Sequence, residues 1–432
     1  MAKVGFAYWK VTAGVLGVVL LWAPASATEL NPAVMDAIRQ AAEAASAPAA
    51  RWPMPLVLPP LSPSVPPSVP PSAPPSVLAP PTPPRPASAW VGVARNEGRL
   101  RPADIGLVIN TADPYSVAVG EHYIRRRGLT HQQVLRMSLP TTSTLLFDDY
   151  ERLRKSIDQR FGAKTQALVL AWVYPYAVGC NSIGGALALG YDAALCDNSC
   201  QPSRPSKYFN SPSAKPFTDL GMRPTMQLAA PSVKAALELI DRGALADGSL
   251  ALRERQPVSA LMLLSTDAPR AVRTPLYPPA GPMAGLGVTV RVEPAFVLPA
   301  GKRMLMVSTG AMRLDFAGPL DWVPGGLGDH LTSYGGALEP WHGQSTAMEW
   351  IASGATASHG TVSEPCNHVQ KFPHPQVLLL HYLQGSTAIE AYWKSVAWPQ
   401  QSLFIGDPLA APFAVPDSAR SAATPIPFTG SR

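Results

Sequence analysis

The sequence predicts a three-layer α/β protein, in which a mainly parallel β-sheet is covered by helices on both faces. Short, fully apolar segments with strand character alternate with helical segments along the chain. Strands that are apolar on both faces are typical of parallel sheets buried between helices. Hydrophobic residues make up 47% of the 432 residues, so the chain can bury a large core. We therefore expect one α/β domain over residues 89–416.

The first predicted strand covers residues 105–111, and a helix over residues 115–127 follows it. Asp113 and the proline after it are typical of a helix start, and Gly128 is typical of a helix end. The same reasoning predicts the next elements in order: a strand over 134–137, a helix over 148–161 and a strand over 167–173.

The second half of the chain continues the alternation. Ser232 is expected to cap a helix that runs to residue 245. Further strands are predicted over residues 261–264, 303–307, 355–362 and 403–405, and further helices over 344–353, 376–384 and 387–396. Polar clusters follow several of these strands, and function in parallel sheets gathers in the loops at the strand ends.

The N-terminal segment has the pattern of a secretory signal peptide. Lys3 and Lys10 precede an apolar run over residues 11–22, and small residues at 25–27 follow it. We predict cleavage after residue 27 and a periplasmic or secreted protein. The alternative is an uncleaved membrane anchor, which would be the protein's only contact with a membrane.

Three further regions lie outside the predicted domain. Residues 28–52 are expected to contain a short helix, and residues 417–432 a disordered tail. Residues 53–88 repeat a Ser-Val-Pro-Pro unit and hold many of the 49 prolines of the chain. Proline fixes φ and lacks a backbone donor, so this stretch is predicted to be a disordered, extended linker.

The charge of the chain gives no indication of a nucleic-acid partner. The 35 basic and 29 acidic residues leave a formal charge of +6, and no run of five basic residues occurs. The densest cluster, residues 125–127, falls at the end of a predicted helix, where basic side chains favour the helix dipole. The apolar segment over residues 168–195 contains Pro175 and several glycines, so we predict buried strand and loop there and no membrane helix.

A candidate catalytic group is formed by Ser333, His359 and Asp329. Gly335 and Gly336 follow the serine and could leave backbone amides free for an oxyanion, while His359 could act as base and Asp329 could orient it. Because the two segments follow neighbouring strands, we expect them to line one cleft together with His330, Tyr334 and Glu364. The alternative is a structural turn with a hydrogen-bonded serine, since the Gly-x-Ser-x-Gly pattern is absent.

The four cysteines predict two disulfides in an exported chain. Of the three possible connectivities we expect Cys180 with Cys366 and Cys196 with Cys200. The alternative is free buried thiols. His359, Cys366, His368 and His374 match no zinc-ligand spacing, so neither a metal nor another cofactor is predicted.

Three segments, residues 329–336, 354–365 and 391–413, resemble an uncharacterised family of exported bacterial proteins from species that carry the exosortase sorting system. The likeness extends from residue 105, through the turn at 112–114, to Gly406-Asp407-Pro408. The family has no established activity. The resemblance implies a link to exosortase-type sorting or to the surface matrix, with envelope or exopolysaccharide components as partners.

A more distant resemblance is to caspase-fold peptidases of the gingipain type. The order of elements is similar, and the resemblance implies a caspase-like arrangement of the sheet. Thr309 and Gly310 fall where those enzymes carry a His-Gly pair, and Ser333 falls near their catalytic cysteine. Both catalytic identities are then missing, which favours a non-catalytic relative. The alternative is a hydrolase of the peptidase or esterase class that acts through the Ser333 and His359 loops.

Overall fold

The computed structural model describes residues 89–251, 257–294, 302–316, 320–339 and 343–415. The expected signal peptide, the helical segment over 28–52, the proline-rich linker over 53–88 and the tail over 417–432 lie outside the described residues.

The described strands are, in chain order, β1 (Ile105–Asn110), β2 (Val134–Met137), β3 (Thr144–Leu145), β4 (Ala167–Leu170), β5 (Ala177–Val178), β6 (Asn181–Ser182), β7 (Thr225–Gln227), β8 (Val258–Leu264), β9 (Gly281–Met283), β10 (Val288–Pro294), β11 (Met304–Gly310), β12 (Trp322–Leu331), β13 (Ala357–Thr361) and β14 (Ser402–Gly406). The described α-helices are α1 (Pro114–Arg127), α2 (Phe147–Arg160), α3 (Ile183–Leu189), α4 (Ala194–Asp197), α5 (Pro216–Leu220), α6 (Val233–Ala246), α7 (Ala347–Ala352), α8 (Pro375–Leu383) and α9 (Ala388–Ser395).

Eleven of these strands form one sheet in the order β2-β1-β4-β7-β14-β13-β12-β11-β8-β10-β9. Most neighbouring strands run parallel, namely in the pairs β1/β2, β1/β4, β4/β7, β8/β10, β8/β11, β11/β12 and β12/β13. Antiparallel pairing joins β13 to β14 and β9 to β10. The predicted mainly parallel sheet is confirmed, and its central strands are buried along their whole length.

Helices cover both faces of the central strands, which completes the three predicted layers. On one face Trp350 of α7 packs against β12 so closely that a Cβ on Gly328 would lie 2.6 Å from the indole ring. Arg242 of α6 donates to the carbonyl of Ala355 at 2.7 Å and so joins α6 to the same layer. On the other face the Tyr392 hydroxyl of α9 donates to the Gly328 carbonyl at 3.1 Å.

Strand β12 is the main difference from the expected elements, because the sequence analysis predicts no strand over residues 322–331. Three glycines, at 325, 326 and 328, lower its strand propensity. In the fold these glycines make room for neighbours: a Cβ on Gly326 would lie 2.5 Å from the Trp322 ring. Close packing therefore explains the glycines that hide this strand in the sequence.

The apolar segment over residues 168–195 forms β4, β5, β6 and α3 with the loops between them. Among the described residues, every helix falls short of the length and apolar character that a membrane span requires.

Candidate functional site

The parallel pairing of β11 and β12 brings two of the predicted positions to one edge of the sheet. Thr309 pairs with His330, and Gly310 pairs with Leu331, the last residue of β12. Ser333 follows two residues later, in the turn over residues 333–336. Thr309, Gly310 and the Ser333 turn therefore all lie at the carboxyl ends of adjacent strands.

Hydrogen bonds to the neighbouring elements fix the Ser333 turn. The Gly336 amide donates to the Thr361 carbonyl at 2.9 Å, and the Gly335 carbonyl accepts from the Ala347 amide at 2.7 Å. The expectation that the Gly336 amide is free for an oxyanion is therefore wrong. The turn lies directly on β13, since a Cβ on Gly360 would lie 2.1 Å from the Gly335 carbonyl carbon.

Ser333 itself is half-buried. In the described part of the chain, its hydroxyl makes no hydrogen bond to His359 or Asp329. The adjacent Thr332 is held instead: its hydroxyl accepts from Arg270 Nε at 3.1 Å and donates to Gln344 Oε1 at 2.5 Å. Any nucleophile at Ser333 would need a base that reaches it by hydrogen bond or through one water.

Asp329 and His359 do come together, but inside the sheet. They are register partners in the parallel strands β12 and β13. His359 Nδ1 lies 3.5 Å from Asp329 Oδ1, and the two residues are 0% and 1% exposed. His359 lies in the strand predicted over residues 355–362, whereas Asp329, expected after the end of a strand, lies within β12. Both belong to central strands whose side chains are enclosed by helices and loops on either face.

The Asp329 carboxylate pairs with Arg273, a residue that the sequence analysis did not single out. Arg273 forms an ion pair with Asp329 and donates to the carbonyls of Thr309 at 2.9 Å and Pro373 at 3.0 Å. Burial raises the pKa of Asp329, but the Arg273 charge and the neighbouring His359 ring outweigh burial and hold this pKa below its ordinary value. Asp329 is thus an ionised group whose charge is balanced within the core.

His359 is enclosed by aromatic rings. Its imidazole lies 5.3 Å from the Phe404 ring and 5.9 Å from the Phe372 ring, measured between centroids. Burial lowers the pKa of His359 below its ordinary value, although the Asp329 charge acts in the opposite direction. The ring is therefore neutral near pH 7. Its side chain lies on the same face of the sheet as Asp329, between the strands and α9.

His330 points to the opposite face and uses both ring nitrogens. Its Nδ1 accepts from the Trp350 indole N–H at 2.9 Å, so the proton of the neutral ring is on Nε2, which donates to the Ser345 carbonyl at 3.1 Å. Burial lowers the pKa of His330 to about 4. These contacts fit a structural histidine that orders α7 on the sheet.

The remaining pocket candidates surround the turn. Tyr334 has a left-handed backbone with φ of 57°. Burial and the Glu364 charge raise the pKa of the Tyr334 hydroxyl. Glu364 accepts from the Cys366 amide at 2.8 Å and so caps its own loop. A Cβ on Gly310 would lie 1.9 Å from the Arg270 carbonyl, so Gly310 serves close packing of the chain.

The structure contains the two disulfides that the cysteine count predicts, but the expected pairing is wrong. Cys180 bonds to Cys196 and Cys200 bonds to Cys366, with Cα separations of 5.1 and 5.2 Å. Cys196 lies within the one-turn helix α4, which ends at Asp197, whereas Cys200 follows the helix end, and the two cysteines bond to different segments of the chain. Disulfides are typical of proteins in oxidising compartments outside the cytoplasm.

The four residues weighed as metal ligands do not form a site. Cys366 is bonded to Cys200 and offers no thiolate, and His359 is enclosed in the core. Across the described ranges, no group of three or more His, Cys, Asp or Glu side chains is arranged to hold a metal ion.

Comparison with known proteins gives one structural likeness. No protein-family model matches the chain, and no curated protein matches it. A crystal structure of the Arg-specific cysteine proteinase gingipain R is similar to it, with 11% sequence identity and a TM-score of 0.33, over 74% of this chain and 80% of that chain. Membership of the exosortase-associated family stays a prediction. The chain is thus an α/β protein with a mostly parallel central sheet and two disulfides.

Proposed function

We propose that this protein is an exported, non-catalytic component of the cell envelope or surface matrix that keeps a caspase-like arrangement of strands. One observation carries the proposal: among the described residues, the two histidines considered as a base for Ser333, His330 and His359, are both buried in central strands. His330 uses both ring nitrogens in the core, and His359 lies between Phe372 and Phe404. A serine without a base within reach is a weak nucleophile at neutral pH.

The residues at the strand ends support the same proposal. In the resemblance to gingipain-type peptidases, Thr309 and Gly310 fall where a catalytic His-Gly is expected, and Ser333 falls near the position expected for the cysteine. A threonine hydroxyl does not titrate near neutral pH, and the Thr309 side chain is buried. The Gly336 amide, one of the donors an oxyanion would need, is bonded to Thr361.

Location follows from the two disulfides and from the signal-peptide pattern. Disulfides favour an oxidising compartment. Residues 1–27 contain two lysines, then an apolar run and then small residues, and this order favours export. We propose a periplasmic or secreted protein in which the proline-rich stretch spaces the domain from its anchor or partner, as part of an exosortase-linked envelope or exopolysaccharide system.

Labelling with a fluorophosphonate probe tests the proposal without knowledge of a substrate. Folded wild-type protein should stay unlabelled under conditions in which a serine hydrolase added to the same sample is labelled. Labelling of the wild type that is lost in folded Ser333→Ala and His359→Ala variants would overturn the proposal and support the hydrolase alternative. Because the probe reacts with the hydroxyl of an activated serine, the experiment requires no knowledge of the substrate.

A further inference from the structure

The segment over residues 89–100, here called the strap, crosses α8 and α9 and is held by their side chains. The amides of Val91 and Asn96 donate to the side-chain carbonyls of Gln376 and Gln384, at 2.8 and 2.9 Å. The Leu100 amide donates to a carboxylate oxygen of the buried Glu390 at 3.1 Å. These side chains, together with a backbone hydrogen bond from the Glu97 amide to the Pro212 carbonyl at 3.0 Å, fix the position of this segment.

Asn96 of the strap meets a buried lysine of α9. Lys394 Nζ lies 2.9 Å from Asn96 Oδ1, although 298 residues separate the two in sequence. Lys394 is fully buried. Because a carbonyl bond is about 1.2 Å long, the Asn96 Cγ atom lies within about 4 Å of Nζ, close to the separation of reacting atoms in a near-attack arrangement.

The Asn96 carboxamide is held on both sides. Its Nδ2 donates to the Ser386 hydroxyl at 2.8 Å and to the His381 carbonyl at 3.3 Å. Its Oδ1 also lies 2.9 Å from His381 Nδ1. His381 Nε2 lies 3.0 Å from a second acceptor, Asn210 Oδ1, and a neutral imidazole can donate to only one of these two oxygens. In the tautomer with the proton on Nδ1, His381 donates to the Asn96 carbonyl oxygen that would become an oxyanion. The acceptor carbon is thus oriented and its oxygen polarised before any reaction.

The surroundings of Lys394 favour its neutral amine. Burial lowers the pKa of Lys394 below its ordinary value, although Glu390 and Glu97 act in the opposite direction. The Nζ atom also lies 5.3 Å from the centroid of the Tyr208 ring. The reaction converts this amine, whose charged form burial disfavours, into an amide that carries no charge in the core.

We propose that Lys394 and Asn96 react to form an intramolecular isopeptide bond. The Nζ lone pair forms a bond to Asn96 Cγ, and the carbonyl electron pair moves to Oδ1, where His381 Nδ1–H stabilises it. A proton passes from Nζ to Nδ2, which the Ser386 hydroxyl contacts. The carbonyl then re-forms, the Cγ–Nδ2 bond breaks, and ammonia leaves with that electron pair. A primary amine and a carboxamide become one secondary amide and ammonia, so no oxidant or co-reactant is required.

The bond would join the strap covalently to α9. The strap directly follows the proline-rich stretch over residues 53–88 in the sequence. A mechanical force that acts on the domain along this stretch of the chain is therefore transmitted through the strap. A covalent link at Asn96 would carry such a load without relying on the hydrogen bonds of Gln376, Gln384 and Glu390.

Tryptic peptide mapping of the full-length exported protein, reduced and alkylated, tests the proposal. Trypsin cleaves after Arg95, Arg99, Lys371 and Arg420, but it cannot cleave after a Lys394 whose side chain is an amide. A cross-linked protein therefore yields one branched peptide, in which residues 96–99 are attached to Lys394 of the peptide 372–420. The mass of this branched peptide is the sum of the two peptide masses less one ammonia. Lys371 is the internal control: it is also buried, but its Nζ contacts a backbone carbonyl, that of Ser199. Cleavage after Lys371 should be complete.

Two variants distinguish the reaction from coincidental mass changes. In Asn96→Asp the same link would form with loss of water in place of ammonia, and in Lys394→Arg the branched peptide should be absent. Full recovery of linear 96–99 and of peptides ending at Lys394 from folded wild-type protein would overturn the proposal. The wild-type map decides the question even if a variant does not fold.

Discussion

Asp329 and His359 face each other across the parallel strands β12 and β13, with Oδ1 and Nδ1 3.5 Å apart and the Arg273 guanidinium on the other carboxylate oxygen. An aspartate beside a histidine has the composition of a catalytic pair. Here the pair is closed off from solvent, and its aspartate is neutralised by an arginine. The arrangement balances charge inside the sheet and connects β11, β12 and the loop before α8.

Replacement of Arg273 by methionine should destabilise the fold strongly. It leaves the Asp329 carboxylate buried without its counter-charge, which typically costs about 3–5 kcal/mol of unfolding free energy. Urea unfolding of the variant and wild type measures the loss. The matched control is Arg136→Met, whose side chain and that of its partner Glu121 are 45% and 40% exposed, so its loss should be about 0–1 kcal/mol.

The double variant Arg273→Met with Asp329→Asn should recover part of the stability that Arg273→Met loses, because it removes the unpaired charge. A double-mutant cycle over the same urea curves gives the coupling free energy of the two residues. Additive effects would show that the ion pair is not what stabilises this part of the core.

The two disulfides should contribute unequally to stability. The Cys200–Cys366 bond closes a loop of 166 residues and the Cys180–Cys196 bond a loop of 16. On the loop-entropy account the long loop stabilises by about 5 kcal/mol and the short one by about 3 kcal/mol. Thermal unfolding of the two double Cys→Ser variants should rank them in that order. Non-reducing peptide mapping checks the pairing, and a Cys196–Cys200 peptide would contradict it.

Stability should fall as the pH is lowered from about 6.5 to about 4. Burial lowers the pKa of His330 and His374 to about 4 and of His381 to about 3. In this window the unfolded chain binds protons that the folded chain excludes, so the unfolding free energy decreases by about 1.4 kcal/mol per pH unit for each histidine. Urea unfolding between about pH 7 and pH 5 measures the slope. His330→Asn should reduce the slope by one histidine's share, and an unchanged slope would contradict the assignment.

Strand and helix positions could be read from the sequence where apolar runs and caps agree. The helix predicted over residues 115–127 is α1, with Asp113 capping its first turn and Gly128 in a left-handed conformation at its end. Strand β12 could not be read, because close packing against Trp350 and Trp322 requires glycines that lower the strand signal.

The candidate site was predictable only in part. Pairing of neighbouring strands correctly suggested that Asp329 and His359 are adjacent. Whether they face a cleft depends on what covers the sheet. Arg273, which pairs with Asp329, precedes it by 56 residues in the sequence, and no local pattern indicates the contact. The expected disulfide pairing is wrong for a similar reason: Cys196 lies within α4 and Cys200 beyond its end, and their partners Cys180 and Cys366 come from other parts of the sequence.

The protonation of His359 tests most directly the claim that this site lacks a base. Two-dimensional NMR of the histidine ring nitrogens in folded protein, recorded from about pH 8 to pH 5 with free imidazole as reference, follows each ring. We expect the His359 and His330 signals to stay those of neutral rings while imidazole titrates. His359→Gln and His330→Asn variants assign the two signals. A His359 ring that titrates near pH 6 to 7 and shifts when Ser333 is replaced by alanine would contradict the non-catalytic account.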